Sequence, residues 1–531
     1  MTRLTSCWLV LVLGLWVAGP AAAQVSDGEW RQIQANFDAA MKTDTVADKE
    51  QAVLALGRAD RVEAVDLLFK VVDWKDPRTN NLLAEREKIQ KQIDQIYAAA
   101  QNQGGQISQG EYDRYQNLLK EIAGVNEKLA TGNTMFNAAV DALTAMRSEP
   151  PIERMISKGL THSSWRVRAA VAQAFGEINN DAAAAKLIEM VGSDKDPKVA
   201  TTAMDSLAKL RRSDAVDAIV RQLDSENWQV RIAAADSLAK IGDARAVEPL
   251  VERMQKEDGR MLEDFDAALK KLTGHTCHGN AGAWKSWFAA NKDKIEEIVA
   301  AREETAEEGA EEGKTVTFYG IRTRSKRIIF IIDFSGSMTE PAQYIPQSAG
   351  TGGGAGPAGA LPASPTRFDV ARWELKNAVS GLDEKAKFNI IYFNDRVELL
   401  KPNGMLEASR SVKDQTYKWL DGLKAEGQTN VYDALARAFD LAGQGAVDAN
   451  YKVGVDTIFF LTDGVPTTGT ITDPMKILDD VAQRNMTRRI KIHVIGVGAN
   501  QAQGAAGQPQ NVDVAFLQKL AEDNWGEFVA R

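Results

Sequence analysis

Cysteine is nearly absent from this chain, with Cys7 and Cys277 the two in 531 residues. Histidine is almost as scarce, at four. Basic excess is missing too: the formal net charge is −9 and no basic patch is interleaved with aromatics, which excludes a broad nucleic-acid surface. Long apolar runs are absent after the first residues, so the rest of the chain offers no segment to span a membrane. What remains is 44% hydrophobic and 26% charged, an ordinary balance for a protein that buries sizeable cores, and its length allows several domains.

The one apolar run lies at the start. Arg3 precedes eleven residues, 7–17, followed by Gly19-Pro20 and Ala21-Ala22-Ala23 before Gln24. A charged start, a short apolar core and an A-x-A site form a secretory signal, expected over 1–23. An N-terminal anchor is the alternative, but the run falls short of the ~20 residues a span needs. No cysteine follows it to carry a lipid. The expected location is therefore secreted or periplasmic, and the mature chain has no transmembrane segment. It keeps only Cys277, which excludes an internal disulfide.

After an N-terminal segment at 24–48, the chain repeats itself. WRVRAAVAQAFGEIN from 165, PKVATTAMDSLAKLR from 197 and WQVRIAAADSLAKIG from 228 align, with Val167, Val199 and Val230 spaced 32 and 31 apart. ALGRADRVEAVDLL, from Ala55, mirrors KIGDARAVEPLV, from Lys240, and supplies a fourth unit. Each unit holds two short apolar-periodic helices that cannot bury their faces alone, so neighbours must stack into an α-solenoid; a plain bundle would not keep this register. The V-R-x-A-A…L-A-x-I-G run resembles HEAT-like repeats of the phycobilisome-lyase type over 49–274, with no lyase chemistry to carry over.

Within the solenoid, residues 80–131 read differently. Leu82, Ile89 and Ile96 are seven apart, as are Tyr115, Ile122 and Leu129, with Gly104-Gly105 between the two runs. Heptads in this arrangement predict an inserted antiparallel coiled-coil hairpin, either a self-association arm or a decoration, and leave the oligomeric state open.

Residues 275–313 are expected to form a Trp-rich cap and an acidic linker. His275, Cys277 and His278 invite a zinc reading, but no fourth ligand stands at a suitable spacing. Trp284, Trp287 and Phe288 are expected to cap the solenoid core instead. GNAGAWKS lacks the glycine that a phosphate loop needs before its lysine. EETAEEGAEEG, 303–313, is a solvated charge run that separates two domains.

From 314 to 531 strands alternate with helices. Apolar strands are predicted at 328–332, 388–393, 457–461, 490–497 and near Phe528, with amphipathic helices between them. This pattern predicts an α/β Rossmann-like domain with a mostly parallel sheet, whose ligands gather at the carboxyl ends of the strands. Asp333 ends one strand and Asp463 ends another, so both belong at that edge. Ser335 and Ser337 follow Asp333 at alternate positions in an expected extended turn, and Thr429 precedes a helix that starts on the same edge. Two carboxylates and three hydroxyls form a hard oxygen set for Mg²⁺, or Mn²⁺ or Ca²⁺, with a position left exchangeable. The helix start after Thr429 favours an incoming anion.

D-F-S-G-S-M, Q-T-N-V-Y-D-A-L and L-T-D-G, in that order, resemble the von Willebrand factor type A domain with its metal-ion-dependent adhesion site. The resemblance makes Asp333, Ser335, Ser337, Thr429 and Asp463 the metal site, with Phe334 facing the core. It implies a secreted binding or adhesion module whose metal takes an acidic side chain of a protein partner, with the solenoid as a second interaction surface. A scaffold whose metal only stabilises the fold is the alternative. An enzyme is not expected: no general base accompanies the carboxylates, and His493 lies inside an apolar strand as a satisfied core residue. A Gly-, Ala- and Pro-rich stretch at 339–366 leaves the edge directly after the second serine, as a gate or as a tolerated insertion.

Overall fold

A computed structural model describes residues 25–43, 45–74, scattered positions between 81 and 96, 108–301, 315–346, 358–402, 404–442, 454–486, 488–498 and 513–531. The expected signal segment, the middle of the hairpin, the acidic linker and the centre of the Gly-rich stretch lie outside the described residues.

The first half is helical. Helices follow one another in short pairs, and the first helices of successive repeats pack together: Trp165–Phe175 on Pro197–Lys209, that on Trp228–Ile241, and that on Arg260–Thr273. Their apolar faces merge into one continuous core, which runs from Trp30 to Val299. Val167, Val199 and Val230, the register residues of the repeat, are all buried in it. Trp284 is fully buried at its end, with Trp287 and Phe288 packed against it.

Leu82, Ile89 and Ile96 are buried, as are Leu118 and Val125 opposite them in the pattern. The side chains of Tyr115, Ile122 and Leu129 lie outside the described residues. The second arm does not stop near 131. One helix, Gln109–Thr144, runs through that boundary and carries Met135, Phe136, Ala139 and Leu143 into the solenoid core. Gly132 keeps a helical backbone, so nothing breaks the helix where the heptad pattern gives way to the repeat pattern.

The second half is a doubly wound α/β domain. A hairpin of β1 (Val316–Phe318) and β2 (Ile321–Thr323) leads into the sheet. The sheet strands are β3 (Arg327–Asp333), β4 (Lys387–Phe393), β5 (Val397–Leu399), β6 (Leu406–Glu407), β7 (Thr457–Thr462), β8 (Lys491–Gly496) and β9 (Phe528–Ala530). Their order is β5-β4-β3-β7-β8-β9, with β6 also paired to β4. β4, β3, β7, β8 and β9 run parallel. Alternate residues go to opposite faces: Ile329, Ile331, Ile458 and Phe460 to one, Ile328, Phe330, Phe459 and Leu461 to the other. Both faces are covered by helices, which is why the middles of these strands are mostly apolar on both sides.

The last repeat grips the amino-terminal edge of this sheet. Arg260 opens the Arg260–Thr273 helix and is fully buried. Its Nη1 donates to the carbonyl of Arg489, at 2.6 Å, and to that of Asp456, the residues that lead into β8 and β7. Asp264 pairs with Arg260 at 2.9 Å and with Lys491 at 2.8 Å. Burial pushes the Asp264 carboxyl up, and the two cations more than reverse this, leaving it below its ordinary value. Arg489 reaches back to Asp205 and Asp236 of two earlier repeats. The solenoid thus holds the sheet at the end opposite the one where Asp333 emerges.

Candidate metal centre

The strand order reverses beside β3: the chain steps from β3 to β4 on one side, then crosses to β7 on the other. A crevice at the carboxyl ends of β3 and β7 is the geometric result. Ile332 is level with Leu461 in the parallel register, so Asp333 stands beside Thr462, and Asp463 follows one residue beyond β7. Both aspartates are fully buried.

The polar atoms meet there. Ser337 Oγ donates to Asp463 Oδ1 at 2.7 Å, and Ser335 Oγ lies 3.1 Å from Ser337 Oγ. Asp333 accepts from the Ser335 N–H at 2.8 Å and from Thr462 Oγ1 at 2.6 Å. The expected extended turn is only half right. Ser335 is extended, but Gly336–Thr339 coils into a 3-10 turn that Ser335 caps. Its own bonds close the turn, Met338 N to Ser335 O at 3.1 Å and Glu340 N to Ser337 O at 3.0 Å, while the Gly336 N–H donates to Gly427 O of the neighbouring loop at 3.0 Å. Phe334 is buried against Phe368 and Tyr392, on the core side.

Thr429 comes in from the other loop. A Cβ placed on Gly464 would fall 3.3 Å from Thr429 Oγ1, so the hydroxyl lies against the residue after Asp463. Two bonds tie the loops: Thr429 N donates to the Thr467 side-chain Oγ1 at 2.9 Å, and Thr467 N donates to the Thr429 carbonyl at 3.0 Å. Asp433 adds a second tie, accepting from Asn430 Nδ2 at 2.9 Å and from Thr470 Oγ1 at 2.5 Å. The Val431–Ala442 helix starts directly behind Thr429.

The structure thus gathers Asp333, Ser335, Ser337, Thr429 and Asp463 at one edge. It also brings residues that the motif did not flag. Thr462 and Asp433 fix the ligand-bearing loops, and Arg367 donates from Nη1 to Asp463 Oδ2 at 2.9 Å. Thr462 is legible as the residue immediately before Asp463 in L-T-D-G, at the end of the same strand. Arg367, 34 residues after Asp333 and beyond the Gly-rich stretch, gave no such signal.

Electrostatics test whether a cation suits these residues. Burial, and then the charge of Asp463, push the Asp333 carboxyl up to about 7. Burial raises Asp463 as well, against the bonds from Ser337 and Arg367. Two buried carboxylates that resist ionising together are under-compensated, and each retains lone pairs beyond the hydrogen bonds it accepts. Hard oxygen donors and unmet negative charge fit Mg²⁺, Mn²⁺ or Ca²⁺. Gly336, Ser337, Gly464 and Val465 are partly exposed, leaving a way in from solvent.

A pH dependence follows. A carboxyl whose folded value lies above its unfolded value favours the fold at low pH, and that contribution is lost as pH rises through about 4 to 7. The melting temperature gained on adding Mg²⁺, relative to chelator, is therefore expected to grow from pH 5 to pH 8. A gain that is flat or shrinks with pH would contradict a metal bound by Asp333.

Elsewhere, Cys277 Sγ lies 3.5 Å from His275 Nε2, and His275 stacks on Trp287. Among the described residues no group of three or more His, Cys, Asp or Glu is set to hold a metal. His493 is buried in β8; its Nδ1 accepts from Glu527 N, but Nε2 has no partner, so the ring is only half satisfied.

Fold and sequence define a protein with HEAT repeats in front of a von Willebrand factor type A domain. HEAT repeats match over residues 137–206 and 193–269, and the von Willebrand factor type A domain over residues 363–527. Among curated proteins, inter-alpha-trypsin inhibitor heavy chain H4 of Homo sapiens is 27% identical over 208 residues, 39% of this chain and 18% of its own length. Heavy chain H6 of Homo sapiens is 25% identical over 210 residues, 39% of this chain and 13% of its own length. This chain therefore spans less than a fifth of either relative. A solved von Willebrand factor type A protein from Catenulispora acidiphila is 19% identical, covering 40% of this chain and 39% of its own, with a TM-score of 0.27.

Proposed function

We propose that the chain is a secreted or periplasmic protein-binding module that captures an acidic side chain of a partner through a divalent metal. The observation that carries this reading is the meeting of Asp333 and Asp463 with the Ser335 and Ser337 hydroxyls at the switch point of the sheet. Asp333, Ser335, Ser337, Thr429 and Asp463 would hold the ion, Mg²⁺ in the first instance. When bound, it supplies a Lewis-acidic position that an incoming carboxylate completes.

A further observation supports recognition at this edge. Ile345 and Met475, 52% and 59% exposed, are the exposed large hydrophobics among the described residues. Ile345 lies on the segment after β3 and Met475 in the Pro474–Asn485 helix after β7, both on connections that leave the carboxyl edge of the sheet. The described histidines lie elsewhere: His162, His275 and His278 in the solenoid half, His493 inside β8. No helix among the described residues is long and apolar enough to cross a membrane. The solenoid would offer a second surface to the same or another partner.

The test is a pull-down from the extracellular or envelope fraction, run in Mg²⁺, in chelator, and with Asp333→Ala in Mg²⁺. A protein retained only by the wild type in Mg²⁺ is the expected result. Equal capture in all three arms would leave the metal a stabilising role and move recognition to the solenoid.

A further inference from the structure

The proposed ligand set makes no use of the buried guanidinium of Arg367. This residue opens the Arg367–Gly381 helix and is 4% exposed. Its Nη1 donates to Asp463 Oδ2 at 2.9 Å, and its Nη2 pairs with Glu340 Oε2 at 2.9 Å. Nε has no hydrogen-bond partner. The Asp463 side chain is fully buried, whereas that of Glu340 is 48% exposed. One cation is thus shared between a buried carboxylate of the metal edge and a solvated carboxylate outside it.

The backbone holds this arrangement in place. Arg367 N donates to Glu340 O at 2.9 Å, and Ala342 N to Pro365 O at 2.9 Å. Pro341 and Thr366 form an antiparallel bridge between the same segments. Gly498, at φ 76°, leaves the space the guanidinium fills: a Cβ there would fall 2.7 Å from Arg367 Nη2.

We propose that Arg367 is a resident counter-cation that competes with the divalent ion for Asp463 and so sets the metal affinity of this edge, with Glu340 drawing part of its charge away. The proposal rests on the metal reading above and deepens it. Two cations that share one carboxylate repel, and they repel more strongly in a buried site than in water. A carboxylate already compensated by a guanidinium attracts an incoming ion less than a bare one does. Arg367 would therefore keep the ion loosely held and exchangeable, which suits a metal whose coordination a partner completes. A residue that merely propped Asp463 would act in the opposite direction, because its loss would loosen the carboxylate and weaken binding.

Mn²⁺ affinity of the full chain, read by electron paramagnetic resonance, separates the two. Arg367→Gln keeps an N–H donor for Asp463 and removes the charge. It is expected to bind Mn²⁺ about tenfold tighter than wild type, or more. Glu340→Gln leaves the whole charge of Arg367 on Asp463 and is expected to bind about threefold weaker. In chelator Arg367→Gln should melt below wild type, and Mn²⁺ should raise its melting temperature by more. If wild type binds Mn²⁺ and Asp333→Asn does not, equal or weaker binding by Arg367→Gln overturns the counter-cation and leaves the metal site standing. If wild type does not bind Mn²⁺, or Asp333→Asn binds it equally well, the metal reading fails and this proposal falls with it. Should Arg367→Gln not fold, Arg367→Lys decides, since it keeps the charge and loses the fork that holds Asp463: Mn²⁺ affinity close to wild type supports the counter-cation, and clearly weaker binding overturns it in favour of a prop.

Discussion

Asp333→Asn is expected to make the metal-free protein more stable while removing its response to metal. The two effects have one cause. Asp333 is buried, faces Asp463, and has its carboxyl pushed up to about 7, so ionising it near neutral pH costs the fold. An amide of the same shape carries no charge; its oxygen can keep the Ser335 N–H while its NH2 donates to Thr462 Oγ1, whose hydroxyl can turn to accept. The gain in chelator at pH 8 is on the order of 2 kcal/mol, a part of what a shift of this size implies. The loss of Mn²⁺ affinity should exceed about 100-fold, since removing even a group that only supports a ligand costs up to that much. Melting curves in chelator and in Mg²⁺, with Mn²⁺ titration beside them, measure both. A variant less stable than wild type in chelator, or one that keeps its Mn²⁺ affinity, would contradict the role of Asp333. Opposite signs are the mark of a functional site that spends stability.

Much of this site was legible because the information is local. A strand buried on both faces reads as an unbroken apolar run, so a carboxylate or hydroxyl at its end stands out. Parallel topology then brings those ends together without any knowledge of side-chain contacts. The repeats were legible for a similar reason, since a register kept over several units reports the stacking that buries it. The β1–β2 hairpin has a weaker sequence signal: Tyr319-Gly320, both at positive φ, form a two-residue turn between strands of only three residues each. Arg367 was not legible. Its guanidinium reaches Asp463 only because the segment after Ser337 returns to its own start at Pro341 and Thr366. The continuity of Gln109–Thr144 through 131 was hidden by a change of period inside one helix.

The joint between the halves was the least legible feature, because its residues look like surface charges on amphipathic helices. Arg260→Met is expected to destabilise the protein by about 3–5 kcal/mol, the range for breaking a buried charge pair by removing one partner. The substitution keeps a long apolar stem. It takes the donor away from the Asp456 and Arg489 carbonyls and leaves Asp264 with Lys491 as its remaining pair. Glu263 next to it, raised to about 7 by burial, accepts from Thr323 Oγ1 and the Arg324 N–H, so the β2 side of the joint should survive at first. Calorimetry should therefore show a lower transition that broadens or splits, as the sheet and the solenoid cease to melt together. Mn²⁺ affinity should not change. The metal edge lies at the far end of β3, six residue steps or about 20 Å from Arg327. An unchanged melting temperature would mean that the buried arginine contributes nothing net to the joint. A change in Mn²⁺ affinity would mean that the solenoid's hold on one end of the sheet is felt at the other.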